Sequence, residues 1–356
     1  MNRDTAFLER LLDAPGPSGF EVRAARVWRE EAETFAEDVR VDVSGNSFAT
    51  LGPGRTPRVM LAGHIDEIGL QITHVDEKGF VYVGEIGGWD PQVLVGQRVR
   101  ILGASGDVIG VIGKKAIHLL EDEERRKASR TKSLWVDVGA STREEVAALG
   151  VRVGDPMVLE QGMVRLAGGD RIASRAIDDR IGAFVVLEAL RLLADEPPAA
   201  SVTAVATVQE EIGYSGGGAR TSAYALEPHV AIVVDVTFST DVPDMEKKEL
   251  GEHELGGGPV LSRGSASHDR VFEMLARVAE EEGIPYTVQA APKATRTDAD
   301  GIYLTRQGVP TCVVSVPNRY MHSPNEVVSL QDVRNTARLI AAFVRRLGPD
   351  TDFTPR

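Results

Sequence analysis

The stretch Ala204-Val205-Ala206-Thr207-Val208-Gln209-Glu210-Glu211-Ile212-Gly213 passes from a short, β-branched apolar run into two adjacent carboxylates. The run reads as a buried strand. Charges at the end of such a strand are costly unless a cation, a metal ion or a reaction compensates them. Taken alone, Glu210 and Glu211 have a second reading, two solvated glutamates in a surface loop. Working outward, residues 177–193 read as a helix with Ile181, Phe184, Val185 and Leu190 inward, just before the strand 201–208. Further strands are predicted at 58–62, 230–236 and 310–316, and helices at 4–13, 21–35, 219–225, 269–282 and 332–347. Strands alternating with helices predict an α/β domain built on a doubly wound, mostly parallel sheet.

Between these parts the texture changes. Short apolar runs at 70–75, 80–86, 99–102, 108–112, 134–138 and 157–159 follow one another, separated by turns such as Asp76-Glu77-Lys78-Gly79. The one helix expected there is 142–149. Many short strands with glycine turns predict a small barrel or sandwich. Residues 1–69 and 165–356 therefore form one α/β domain, interrupted by an all-β insertion over 70–164. The charged run 121–132 reads as a solvated loop.

The 356 residues exceed what one compact core usually organises, which agrees with two domains. A 42% hydrophobic and 26% charged composition is that of a soluble globular protein. No apolar run approaches the roughly 20 residues that a membrane helix needs, and Met1-Asn2-Arg3-Asp4 leads into a polar helix rather than a signal peptide. The net charge of −13 without a long basic tract excludes nucleic acid as the expected partner. Cys312 is the single cysteine, so there is no intrachain disulfide or thiolate cluster; it reads as a small core residue, and a reducing cytoplasm is the expected compartment.

Four predicted strands end in potential ligands. Residues 59–62 lead to His64 and Asp66, 202–208 to Glu210 and Glu211, 232–234 to Asp235, and 312–316 to His322. In open α/β sheets, ligands bind outside the carboxyl ends of the strands, and Asp178 at a helix start can join from the same side. Each residue has an ordinary reading: Asp178 as a favourable acid at a helix N-terminus, Asp235 as a cap, His64 and His322 as structural histidines. Convergence is the argument. Val136-Asp137-Val138 looks like Val234-Asp235-Val236 but lies in the insertion and reads as structural. Two histidines with three or four carboxylates and no cysteine suit Zn²⁺, with Co²⁺ or Mn²⁺ as alternatives. So many donors fit two divalent ions sharing one carboxylate better than one ion, with Asp66 orienting the His64 ring.

Gly63-His64-Ile65-Asp66-Glu67-Ile68-Gly69, Ala176-Ile177-Asp178-Asp179-Arg180, Glu210-Glu211-Ile212-Gly213, Val234-Asp235-Val236 and Tyr320-Met321-His322-Ser323 together resemble metallopeptidase family 42, the tetrahedral, glutamyl and deblocking aminopeptidases. Pro17-Ser18-Gly19-Phe20-Glu21, Gly45-Asn46 and His118-Leu119-Leu120 extend the resemblance over nearly the whole chain. It implies a phosphorylase/hydrolase-like fold with two metals: His64 and Asp235 on one, Glu211 and His322 on the other, Asp178 bridging. It further implies Glu210 as general base, Asp66 supporting His64, peptides with a free amino terminus as substrates, and an insertion that dimerises, with dimers assembling into a tetrahedral dodecamer. Two departures stand out. Tyr214-Ser215-Gly216-Gly217-Gly218-Ala219 replaces a shorter loop after the glutamates, and Arg296 stands before Thr297-Asp298-Ala299 where the family pattern leads us to expect glycine.

A related metal-dependent deacylase or carboxypeptidase would use the same donors. A cellulase-like glycoside hydrolase needs two carboxyls flanking a sugar bond, about 5–9.5 Å apart, which adjacent glutamates do not readily provide. Aromatics at 5% are also poor material for stacking sugars. A non-catalytic scaffold would not need a base beside a ligand.

Overall fold

The computed structural model describes residues 3–213 and 217–355. Three strands, β1 (Asp38–Val41), β2 (Ser47–Leu51) and β3 (Arg58–His64), lead into β4 (Gly69–Val75), β5 (Val81–Ile86), β6 (Arg98–Gly103), β7 (Gly106–Gly113), β8 (Trp135–Asp137) and β9 (Pro156–Leu159). After these come β10 (Val164–Arg165), β11 (Arg171–Ser174), β12 (Ser201–Thr207), β13 (Val230–Phe238), β14 (Val260–Arg263), β15 (Thr287–Ala290), β16 (Thr311–Asn318) and β17 (Glu326–Ser329). Eight of them form one sheet in the order β1-β2-β12-β3-β13-β16-β14-β15. The centre, β12-β3-β13-β16, is parallel throughout.

Parallel strands need crossover connections, and the helices supplying them cover both faces. Side chains accordingly alternate between two cores. Leu61 and Ile232 face the helices Ile177–Ala194 and Leu330–Arg345. Met60, Ala62 and Val233 face Ala219, Ala223 and Ile302 on the other side. Burial on both faces explains why β12 reads as an unbroken apolar run, every residue of it buried. Ser329 starts the helix Leu330–Arg345 by accepting hydrogen bonds from the Gln331 and Asp332 amides.

One contact fixes the layer spacing under the strand ends. Gly63, next to last in β3, lies against the backbone of Gly182 in the helix Ile177–Ala194; a Cβ at Gly63 would stand 2.4 Å from the Gly182 carbonyl carbon. Trp28 locks the same turn, its indole N–H donating to the Ala183 carbonyl at 2.8 Å.

The strands β4-β5-β8-β7-β6-β9 close into a barrel rather than a sandwich. Its own core contains Leu70, Ile72, Val99, Ile101, Val136 and Met157. Asp137, the look-alike of Asp235, is exposed there and accepts the Gly139 amide. Within 121–132 the solvated loop carries a helical turn, Asp122–Arg125.

The sheet edges differ from the sequence reading. The hairpin β1–β2 adds antiparallel strands beside β12, and β14 pairs antiparallel with β16. These outer strands have four or five residues, too few to show a period. Among the described residues no helix is long and apolar enough to cross a membrane.

Candidate active site

Register brings the strand ends together: Thr207 stands opposite His64, and Val233 opposite Ala62. His64 closes β3 and is 2% exposed. Asp178 comes from the first turn of the helix Ile177–Ala194, where its backbone is extended rather than helical. Asp235 lies in β13, and His322 follows β16 with a left-handed φ of 58°.

The Asp178 carboxylate sits between the two imidazoles. His64 Nε2 is 3.3 Å from its Oδ1, and His322 Nε2 is 3.3 Å from its Oδ2. Glu211 Oε1 is 3.3 Å from His322 Nε2 and is buried. Glu210 Oε2 approaches His64 Nε2 to 3.9 Å. Donor atoms of His64, Asp178 and Glu211 lie within 4.8 Å of one another, as do those of His64, Asp179 and Asp235.

Asp66 organises this group from behind. Its Oδ1 is 3.4 Å from His64 Nδ1, and its two oxygens accept the amides of Glu210 and Glu211 at 3.2 and 3.1 Å. Burial pushes its carboxyl up, but His64 and the Glu211 amide outweigh this and hold it below the usual range. Glu21 braces the same turn by accepting the Gln209 amide at 3.2 Å, which gives the Pro17–Glu21 motif its place in the site. Glu67, one residue on, anchors the loop through Arg180 (2.7 Å), Arg175 and the Gly16 amide (3.0 Å). Arg180 is wholly buried and spends its remaining donors on backbone carbonyls, among them Leu11 and Ile65. The buried charges of this clasp are therefore compensated.

The charges of the site are not. Burial, together with Asp235, Asp298 and Glu211, pushes the Glu210 carboxyl up to about 10 despite His64. Asp235 is raised well above its ordinary value by burial and by Asp178. Against its own burial, Asp178 is held far down by His322 and His64. Crowded buried carboxylates that outnumber the two histidines beside them call for added positive charge. Borderline-hard oxygen and imidazole donors fit divalent metal ions.

All seven predicted residues, His64, Asp66, Asp178, Glu210, Glu211, Asp235 and His322, meet at this edge. Three neighbours escaped the sequence reading as site residues. Asp179 saturates its carboxylate on the His64 and Gly182 amides (3.2 and 2.9 Å), as a brace would. Glu326 accepts the amides of both Asp178 (3.0 Å) and His322 (2.9 Å). Asp298, 2% exposed, accepts the Thr207 hydroxyl, while its Oδ1 has no hydrogen-bond partner among the described residues. Only the spacing of Glu326, four residues after His322, offered a signal. Of the loop flagged after the glutamates, Tyr214–Gly216 lie outside the described residues, and Gly217–Ala219 open the helix Gly217–Leu226.

Residues 45–339 match the model of the M42 glutamyl aminopeptidase family. The chain belongs to this family. As an M42 protein it is a hydrolase acting on peptides, of the aminopeptidase kind. It is 37% identical to a lysyl aminopeptidase of Pyrococcus furiosus over 99% of both chains. It superimposes on the TET aminopeptidase of a marine sediment archaeon, Thaumarchaeota archaeon SCGC AB-539-E09, with a TM-score of 0.92, at 34% identity over 97% of each chain. The Pyrococcus horikoshii TET1 peptidase, which assembles into a tetrahedron or a large octahedral shell, matches with a TM-score of 0.85 at 30% identity, over 97% of this chain and 100% of that one.

Proposed function

We propose that the chain is a two-metal aminopeptidase. The observation that supports this most is the Asp178 carboxylate, whose two oxygens each face a different histidine at 3.3 Å. In this reading His64 and Asp235 would hold one divalent ion, Glu211 and His322 the other, and Asp178 would bridge; Zn²⁺ suits the donors, with Co²⁺ or Mn²⁺ as alternatives. When bound, such ions lower the pKa of water and polarise the scissile carbonyl.

The chain's own residues supply the remainder. Glu210 accepts the proton of the attacking water and returns it to the leaving amine. Its Oε2 stands 3.9 Å from His64 Nε2, beside the donors that would hold the ions. Asp66 holds the imidazole of His64 and the backbone of Glu210 in one frame. The barrel, which has a core of its own, would make the contacts between subunits, with a shell-like assembly such as that of the horikoshii protein as the expected product.

The test separates the two glutamates. Glu210→Gln should keep both metals and lose about 10²–10⁴ in kcat, the range for acid–base catalysis. Glu211→Gln should lose one metal, and added metal should restore part of the activity. Full peptidase activity after chelation, with metal absence checked by elemental analysis, would refute the mechanism.

A further inference from the structure

We infer that the inserted barrel completes the metal site, its loop Gly87-Gly88-Trp89 holding the His322 imidazole in the orientation and tautomer that a metal ion needs. The inference rests on the two-metal reading and adds positioning residues to it. His322 Nδ1 lies 2.7 Å from the Gly88 carbonyl oxygen. A carbonyl only accepts, so Nδ1 carries the proton and donates it. A neutral imidazole has one N–H, which leaves a lone pair on Nε2. That nitrogen stands 3.3 Å from both Asp178 Oδ2 and Glu211 Oε1. Metal-binding histidines are oriented in this way, by a hydrogen bond from the other ring nitrogen.

The two histidines differ in where that support comes from. His64 Nδ1 faces Asp66, two residues on in the same turn of the α/β domain. The support for His322 lies 234 residues away in sequence and belongs to the barrel.

Barrel structure places the loop. It runs from the end of β5 to the short helix Pro91–Leu94, whose Leu94 is buried in the barrel core. Asp90 caps that helix by accepting the Gln92 amide at 2.9 Å. Trp89 packs on the same core, and its indole N–H donates to the Gly69 carbonyl at 2.8 Å, where the chain enters the barrel. Gly87 allows the close approach. Its φ is +76°, and a Cβ there would stand 2.5 Å from Ile68 Cγ2 and 3.4 Å from Glu211 Oε2. The loop thus borders Glu211 and His322, the two residues assigned to one ion, while Asp66 braces the histidine of the other. Loosening the loop should weaken one ion and spare its neighbour.

The experiment titrates zinc into the metal-free, full-length protein in a chelator-buffered solution and counts ions per subunit. Trp89→Phe keeps an apolar ring but removes the N–H donor, and Gly87→Ala forces the loop away from Ile68. Each should weaken the Glu211/His322 ion by about 10- to 100-fold, the usual loss when the partner of a metal-bound histidine is disturbed, with the other ion at parent affinity. Trp135→Phe, in β8 of the same barrel, should bind zinc as the parent does, which separates loop position from barrel stability. In a His322→Gln background, Trp89→Phe should have no further effect on zinc binding. Parent affinity for both ions in the two loop variants, equal weakening of both ions, the same loss in Trp135→Phe, or an additive loss in the His322→Gln background overturns the inference. Should a loop variant not fold, amide exchange of the parent decides: zinc loading should slow exchange across residues 87–94, and unchanged exchange overturns the inference. A parent that binds one ion per subunit would instead refute the two-metal reading, and the exchange measurement would still decide the role of the loop.

Discussion

Replacing Gly63 by alanine probes how closely the site depends on one backbone contact. The added methyl would lie 2.4 Å from the Gly182 carbonyl carbon, 2.6 Å from the Ala183 nitrogen and 2.8 Å from the Gly182 oxygen. Comfortable carbon contacts are about 3.5–4.0 Å, and all three neighbours are backbone atoms that cannot rotate away. Strand β3 and the helix Ile177–Ala194 must therefore part by roughly 1 Å, at an overpacking cost of about 1–3 kcal/mol. The strand carries His64 and the helix carries Asp178, so their 3.3 Å approach is lost with the spacing. A misplacement of about 1 Å costs on the order of 10²-fold in rate. Urea unfolding gives the stability, elemental analysis the metal content, and steady-state kinetics the kcat. The expected outcome is a folded protein, less stable by that amount, with reduced metal and turnover down about 100-fold. A variant of unchanged urea midpoint and turnover within twofold of the parent would refute the reasoning.

Glu326→Gln leaves one acceptor for two amides, so retained metal after dialysis should reflect an affinity about 10- to 100-fold weaker; equal metal content in variant and parent would exclude this role. Asp332, which accepts the Gly256 and Gly258 amides, is pushed up to about 6 by burial. With its folded value above its unfolded one, its stabilisation is full below about pH 4 and disappears as pH rises through 6. The melting temperature of the parent relative to that of Asp332→Asn should therefore fall from pH 4 to pH 7, and a constant or rising difference would contradict it. Burial pushes the Cys312 thiol up to about 12, so it should resist Ellman's reagent in the native protein and react on unfolding. Replacing residues 71–161 by a short linker should give a smaller particle by light scattering; unchanged mass would argue against contacts through the barrel.

The central strands were legible because burial on two faces forces an apolar run, and each run ends abruptly in a polar residue. The same contrast exposed His64, Glu210, Glu211, Asp235 and His322. Braces were harder to read. Asp179 beside Asp178 looks like a second helix-start acid, and Glu326 and Asp298 sit in short polar segments with no period. Asp179 and Glu326 each take one backbone amide from far away in sequence, and Asp298 takes the distant Thr207 hydroxyl, which no local pattern encodes. Edge strands escaped for a related reason: Asp38–Val41 is largely exposed and takes its conformation from pairing with β2. Arg296 was visible only as a departure from the family pattern, and it proves to have a left-handed backbone, with φ of 58°.

The parallel centre of the sheet has a consequence for how the protein matures. Donors at 64, 178, 210–211, 235 and 322 come from segments that no hairpin can bring together, and non-local pairing of this kind forms slowly. A partly folded chain missing any one central strand offers an incomplete donor set. Tight metal capture would then occur only after the crossovers are correctly wound, and by mass action would stabilise that topology over misdocked ones. The ions would serve during biogenesis as a proofreading signal, and metal-starved growth should enrich protease-sensitive chains before it yields a folded, inactive pool.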